Sequence, residues 1–168
     1  MPVLIDTNVL LRIVEPNDPE YTLVREAIKA LTARGESLCF ASQNLVEFWN
    51  VCTRPVSKNG LGLTPRQTDE RATLLESRFR FLPDNERVHA EWRRLEVAHS
   101  VAGVQVHDAR LVAAMLVHGV PQVLTLNDRD FGRYTPRRFS DSCRRERDPG
   151  SSPRPAPRRR PKPWPAIP

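Results

Sequence analysis

Short apolar runs alternating with segments of helical period constrain this chain more than any other feature of its sequence. Val3-Leu4-Ile5 is continuous and apolar and stops at Asp6-Thr7-Asn8, as a strand buried on both faces would read. Leu38-Cys39-Phe40-Ala41, Phe81-Leu82-Pro83 and Val123-Leu124-Thr125-Leu126 are the other strand candidates. Helical spacing fills the intervals. Val9 to Val14 forms one short helix, and Tyr21, Val24, Ala27, Ile28 and Leu31 mark another, closed by Gly35 where a helix end favours glycine. Ser42 is placed to cap a helix through Leu45, Val46, Phe48, Trp49 and Cys52. Thr64-Pro65-Arg66-Gln67 reads as a capping box with proline in the first turn, opening a helix to about Phe79. Asp84 is expected to cap the helix bearing Val88, Trp92, Leu95 and Ala98, and Asp108 to open an alanine-rich helix ending near His118-Gly119. Strands and helices in strict alternation predict βαβ units, and so an α/β fold with a mostly parallel central sheet.

The net charge of +6 suggests a polyanion binder until it is located. Residues 140–168 hold eight Arg or Lys against three Asp or Glu, a surplus of 8 − 3 = +5, which leaves 6 − 5 = +1 for the rest. Half of the 16 prolines also lie in this tail. Such a segment buries too little apolar surface to offset its ordering entropy, and it is expected to be disordered. The expected division is therefore a folded domain over 1–139 and a Pro/Arg-rich tail over 140–168. Cys39, Cys52 and Cys143 are widely spaced, a pattern of reduced thiols rather than of a disulfide scaffold or a zinc site. Asp6 interrupts the first apolar run and no basic segment precedes it, unlike a signal peptide. No apolar stretch approaches a membrane span. A soluble, cytoplasmic protein is expected.

The chemistry-bearing residues are acidic. Asp6 directly follows a buried strand, where parallel sheets place ligand-binding groups; it is equally placed to cap the next helix. Glu47 lies among Leu45, Val46, Phe48 and Trp49, on a helix expected to be largely buried, where an unpaired carboxylate is costly. Asp108 suits a helix start, and Asp128 and Asp130 suit the turn after the last strand. Together these residues fall towards one edge of a parallel sheet. Carboxylates gathered there repel one another unless a proton or a cation intervenes, and hard oxygen donors suit magnesium or manganese. Such ions promote phosphodiester hydrolysis. Trp49 and Trp92 are expected in the core. His107 reads as structural, although it could orient a carboxylate or meet substrate. Arg54, Lys58 and Arg129 could meet phosphates.

Met1-Pro2-Val3-Leu4-Ile5-Asp6-Thr7-Asn8-Val9-Leu10-Leu11 resembles the opening of PIN-domain nucleases, particularly VapC-type toxins of bacterial toxin–antitoxin pairs. The Ser42–Trp49 segment resembles the helix carrying their glutamate, His107–Ala114 the segment with their third acid, and Thr125–Phe131 their closing element. The match spans roughly Met1 to Tyr134. It implies a PIN-like three-layer α/β/α fold and magnesium-dependent (or manganese-dependent) endonucleolytic cleavage of RNA, often tRNA or ribosomal RNA. It also implies a small antitoxin partner and a homodimer. On this resemblance Asp6 and Asp108 would be principal metal ligands and Glu47 would complete the site, while Asn127, Asp128 and Asp130 compete for the fourth position. Thr7, Asn8, Thr125 and Asn127 would orient carboxylates or water. Two other readings keep the fold: an RNA-processing nuclease without an antitoxin, and an inactive RNA-binding module. A haloacid-dehalogenase-like phosphatase also opens with a strand and an Asp, but it wants a second Asp where this chain has Asn8. One departure from the family stands out. Members usually finish with a further short strand, whereas Tyr134–Phe139 leads straight into the tail, whose bias resembles a frameshifted or read-through end.

Overall fold

A computed structural model describes residues 1–127 together with Phe131 and Tyr134. Asp128, Arg129, Asp130 and the 140–168 tail lie outside the described residues.

Four strands form one sheet: β1 (Pro2–Ile5), β2 (Ser37–Ala41), β3 (Arg80–Leu82) and β4 (Gln122–Leu124). Their spatial order is β3-β2-β1-β4, and every pair is parallel. Parallel neighbours need crossovers. Here α1 (Thr7–Ile13) and α2 (Tyr21–Ala33) join β1 to β2, and α3 (Ser42–Thr53) and α4 (Pro65–Arg78) join β2 to β3. The last crossover, from β3 to β4, uses α5 (Glu86–Ala98) and α6 (Gln105–Val117). The two-residue period of the strands then sorts the core. Val3, Ile5, Leu38 and Phe40 face a layer with Val9, Val24, Leu31, Phe48 and Leu75. Leu4, Cys39, Ala41 and Leu82 point the other way, against Val88, Leu95, Leu111, Val112 and Met115. The result is the expected three-layer α/β/α arrangement.

Local sequence explains where most elements begin and end. Gly35 follows α2 with φ +74°, a left-handed conformation that favours glycine. Gly60 is required for a different reason, since a Cβ there would stand 2.0 Å from the Arg54 carbonyl oxygen. Thr64 and Gln67 form the expected capping box on α4.

Other expectations are corrected. Ser42 does not cap α3 but is its first residue; its hydroxyl accepts from the Asp84 N–H, and Asn44 reaches back to the Ala41 N–H at 2.8 Å. Asp84 does not cap α5, because Asn85 accepts from the Val88 N–H while Asp84 pairs with Arg110 at 2.6 Å. Asp108 does not open α6, which starts three residues earlier at Gln105, and it sits in the first turn instead. Trp49 is no core residue. Helix α3 buries only the line Asn44, Phe48, Cys52, leaving Val46 68% and Trp49 36% exposed. Trp92 is partly buried, with its indole N–H on the Val106 carbonyl and Arg110 over its ring. No described helix is long and apolar enough to cross a membrane.

Candidate active site

The sheet register assembles the centre. Ile5 pairs with Leu124 in the β1–β4 ladder, so the next residues, Asp6 and Thr125, emerge side by side at the carboxyl ends of their strands. The Asp6 N–H donates to the Leu124 carbonyl at 2.9 Å, extending the ladder to that point. Helix α1 begins at once, and Asp6 serves as its N-cap. Its Oδ1 accepts the Thr7 N–H at 2.7 Å. Its Oδ2 accepts from the Asn8 amide at 2.7 Å and from the Thr125 hydroxyl at 2.6 Å. Asn8 in turn donates to Thr125 at 3.1 Å and accepts the Leu126 N–H at 3.2 Å, while the Asn127 N–H donates to the Thr125 hydroxyl. Thr7, Asn8 and Thr125 thus bond one carboxylate, and the Asn127 backbone bonds Thr125.

A second chain of bonds enters from α3. The Asn44 amide, fully buried, donates to the Thr7 hydroxyl at 3.1 Å, and Thr7 donates to Glu47 Oε2 at 2.7 Å. Gln43, one turn before Glu47, donates to its other oxygen and also meets His107 Nδ1 at 2.8 Å. Glu47 is therefore fixed at both oxygens while its side chain stays 28% exposed. This corrects the picture of a carboxylate sunk between buried helix faces. Gln43 and Asn44 carry no expected role in the sequence. Their signals were the four-residue spacing of Gln43 to Glu47 and an Asn at the third helical position, able to reach back to the preceding N–H.

Asp6 is 8% exposed, and its pKa is raised to about 6. Burial is the largest cause; bonds from Thr125 and Thr7 oppose it, and the nearby charges of Glu47 and Asp108 add to it. Glu47 and Asp108 thus bear electrostatically on Asp6, from α3 and α6 respectively. Neither Asp128 nor Asp130 can be placed here, since both lie outside the described residues. Among the described residues, no three His, Cys, Asp or Glu side chains are arranged to hold a metal ion. The donor chemistry nevertheless fits a hard divalent cation. Magnesium retains several waters and uses one or two protein carboxylates rather than a closed cage, and a cation would relieve the repulsion on Asp6. Arg54 and Lys58 lie past the far end of α3 from Glu47. Cys39 and Cys52 are buried, and burial pushes both thiols up to about 11, leaving them inert.

Residues 3–135 match the model of the PIN domain. The chain belongs to the PIN-domain family. Solved structures share this PIN fold at low sequence identity. VapBC-1 from nontypeable Haemophilus influenzae has 18% identity and a TM-score of 0.60, covering 84% of this chain and 98% of that one. VapBC2 from Rickettsia felis, bound to a DNA fragment from its promoter, has 16% identity and a TM-score of 0.59, with coverage of 79% and 92%. VapC20 from Mycobacterium tuberculosis, a toxin that cleaves the sarcin-ricin loop, has 15% identity and a TM-score of 0.58, with coverage of 76% and 92%. No curated protein matches the chain by sequence.

Proposed function

We propose that this PIN-domain chain is a metal-dependent endoribonuclease that hydrolyses RNA phosphodiester bonds and acts as the toxin of a type II toxin–antitoxin pair. The observation that carries the reading is the state of Asp6. It is a buried carboxylate whose bonding partners among the described residues are Thr7, Asn8 and Thr125, and its charge is disfavoured further by Glu47 and Asp108. A structural carboxylate would be matched by an arginine or lysine. Among the described residues no arginine or lysine bears on Asp6, an arrangement that suits an incoming cation.

Asp6 and Asp108 would hold the ion, with Glu47 joining directly or through water; Asn127, Asp128 or Asp130 would take the fourth position. Magnesium or manganese, when bound, supplies Lewis acidity and charge compensation at the scissile phosphate. Thr125 and Asn8 aim the Asp6 carboxylate, and Thr7 holds Glu47. The reading places the nuclease in residues 1–139 and gives the 140–168 tail no part in it. The fold shared with VapBC proteins supports a small antitoxin as partner, and VapC20, which cleaves the sarcin-ricin loop, supports an RNA substrate; tRNA or ribosomal RNA as the target and a homodimer belong to the reading through the family resemblance alone.

Total RNA incubated with the purified protein, with and without magnesium or manganese, tests the proposal when Asp6→Asn is run alongside. Metal-dependent cuts that vanish in the variant are expected, and mapping their ends names the substrate. Equal cleavage by Asp6→Asn would sink the site assignment. No cleavage by folded protein with metal present would sink the nuclease reading.

A further inference from the structure

Glu47 and Asp108 ride on helices that bury against opposite faces of the sheet: Phe48 and Cys52 of α3 in one layer, Leu111, Val112 and Met115 of α6 in the other. The two helices touch each other as well, but they share no core layer to set their separation, and like charges push their carboxylates apart. The side chains beside those carboxylates are joined. Gln43 precedes Glu47 by one turn and His107 directly precedes Asp108. The Gln43 Nε2 donates to Glu47 Oε1 and lies 2.8 Å from His107 Nδ1. An amide nitrogen has two hydrogens, so it serves both contacts at once when Nδ1 is the acceptor. His107 Nδ1 itself stands 3.7 Å from Glu47 Oε1, too far for a direct bond. Gln43 is the intermediary.

We propose that Gln43 is a positioning residue braced by His107, and that this strut between α3 and α6 sets the separation of Glu47 and Asp108 and hence the affinity for a divalent cation. The inference rests on the metal-site reading above. It assigns the work of His107 to Nδ1 and gives none to Nε2. His107 is 58% exposed, so replacing it leaves the core intact.

The test is calorimetric titration of the full chain with Mn2+ alone, in the absence of RNA. Gln43→Ala and His107→Ala should each weaken Mn2+ binding by about tenfold, the low end for residues that orient metal ligands. The double variant should be no weaker than either single one, because both break the same link. His107→Asn places an acceptor oxygen close to the Nδ1 position and should restore affinity to within about twofold. His107→Gln extends towards the Nε2 position and should not. With RNA present, kcat at low magnesium should fall and recover at high magnesium, with KM for RNA unmoved.

Unchanged Mn2+ affinity in Gln43→Ala would overturn the strut. Rescue by His107→Gln rather than His107→Asn would overturn it too, by moving the acting atom to Nε2. A wild-type chain that takes up no Mn2+ would overturn the metal-site reading together with the strut, an outcome distinct from the other two. Should His107→Ala fail to fold, Gln43→Ala and His107→Asn decide the matter.

Discussion

Asp6→Asn should make the metal-free protein more stable at neutral pH while removing its activity. The Asp6 carboxyl titrates at about 6 in the folded chain against 3.8 ordinarily. That difference corresponds to about 3 kcal/mol. Between these two values the folded chain keeps a proton that the unfolded chain has released. Stability linked to Asp6 is therefore fully present below about pH 4 and is lost as pH rises through about 6. Asparagine never acquires the charge, so the variant escapes this loss. It also gives up an acceptor, since Oδ2 receives both Asn8 and Thr125 and an amide nitrogen cannot. The lost bonding costs about 1–2 kcal/mol at every pH. The variant should thus be slightly weaker than wild type near about pH 4 and about 1–2 kcal/mol stronger near about pH 7.5. Urea unfolding with a chelator present, at both pH values, measures the crossing. Parallel pH dependence in the two proteins would refute the reasoning, because bonding losses alone cannot produce a crossover. Magnesium should reverse the ranking at neutral pH by stabilising wild type, by about 2.7 kcal/mol at one hundred times its dissociation constant.

Four further outcomes follow from the same network. Thr125→Val removes a donor to the charged form of Asp6, so the midpoint of the pH-dependent loss should move above 6, as read by the same urea series. Asn44→Leu takes the side-chain acceptor from the Ala41 N–H and the buried donor from the Thr7 hydroxyl; chemical denaturation should show a loss of about 2–3 kcal/mol, and RNA cleavage should fall as Glu47 loses its indirect support. Phe48→Ala empties a fully buried position under α3 and should cost about 3–5 kcal/mol in urea, while Val46→Ala, on the exposed side, should cost less than about 0.5 kcal/mol. Asp108→Asn should lower the midpoint at which Asp6 titrates, because it removes a repelling charge, and should abolish metal-dependent cleavage in the RNA assay.

The fold was largely legible because its signals are local. Val3-Leu4-Ile5 and Leu38–Ala41 are short runs apolar on both faces, as interior strands of a parallel sheet read, and Gly35 and the Thr64–Gln67 box mark helix ends through their own backbone chemistry. What failed depended on partners remote in sequence. Asp84 lost its expected capping role to Asn85 because Arg110, 26 residues away, claims its carboxylate. Trp49 reads as core from its helical spacing with other apolar residues, but burial on α3 follows a single four-residue line that misses it. In the site, Asp6 was legible from its place after a strand. Glu47 was singled out for a burial it does not have; its bonds to Thr7 and Gln43 depend on how α1 and α3 meet. Asn44 was missed for the same reason, since a buried amide is visible only with its partners.

The parallel register has a consequence for how the chain comes into being. The hydroxyl donor to Asp6, Thr125, lies 119 residues further along the chain and reaches it only when β4 pairs with β1. Until that last described strand docks, Asp6 lacks the Leu124 carbonyl above its N–H and the network that aims its carboxylate. Contacts this distant in sequence form late, after the loop-closure entropy has been met. A chain in which β4 has not docked therefore holds Asp6 without the network that orients it. Assembly of the Asp6 network is thus coupled to completion of the described sheet.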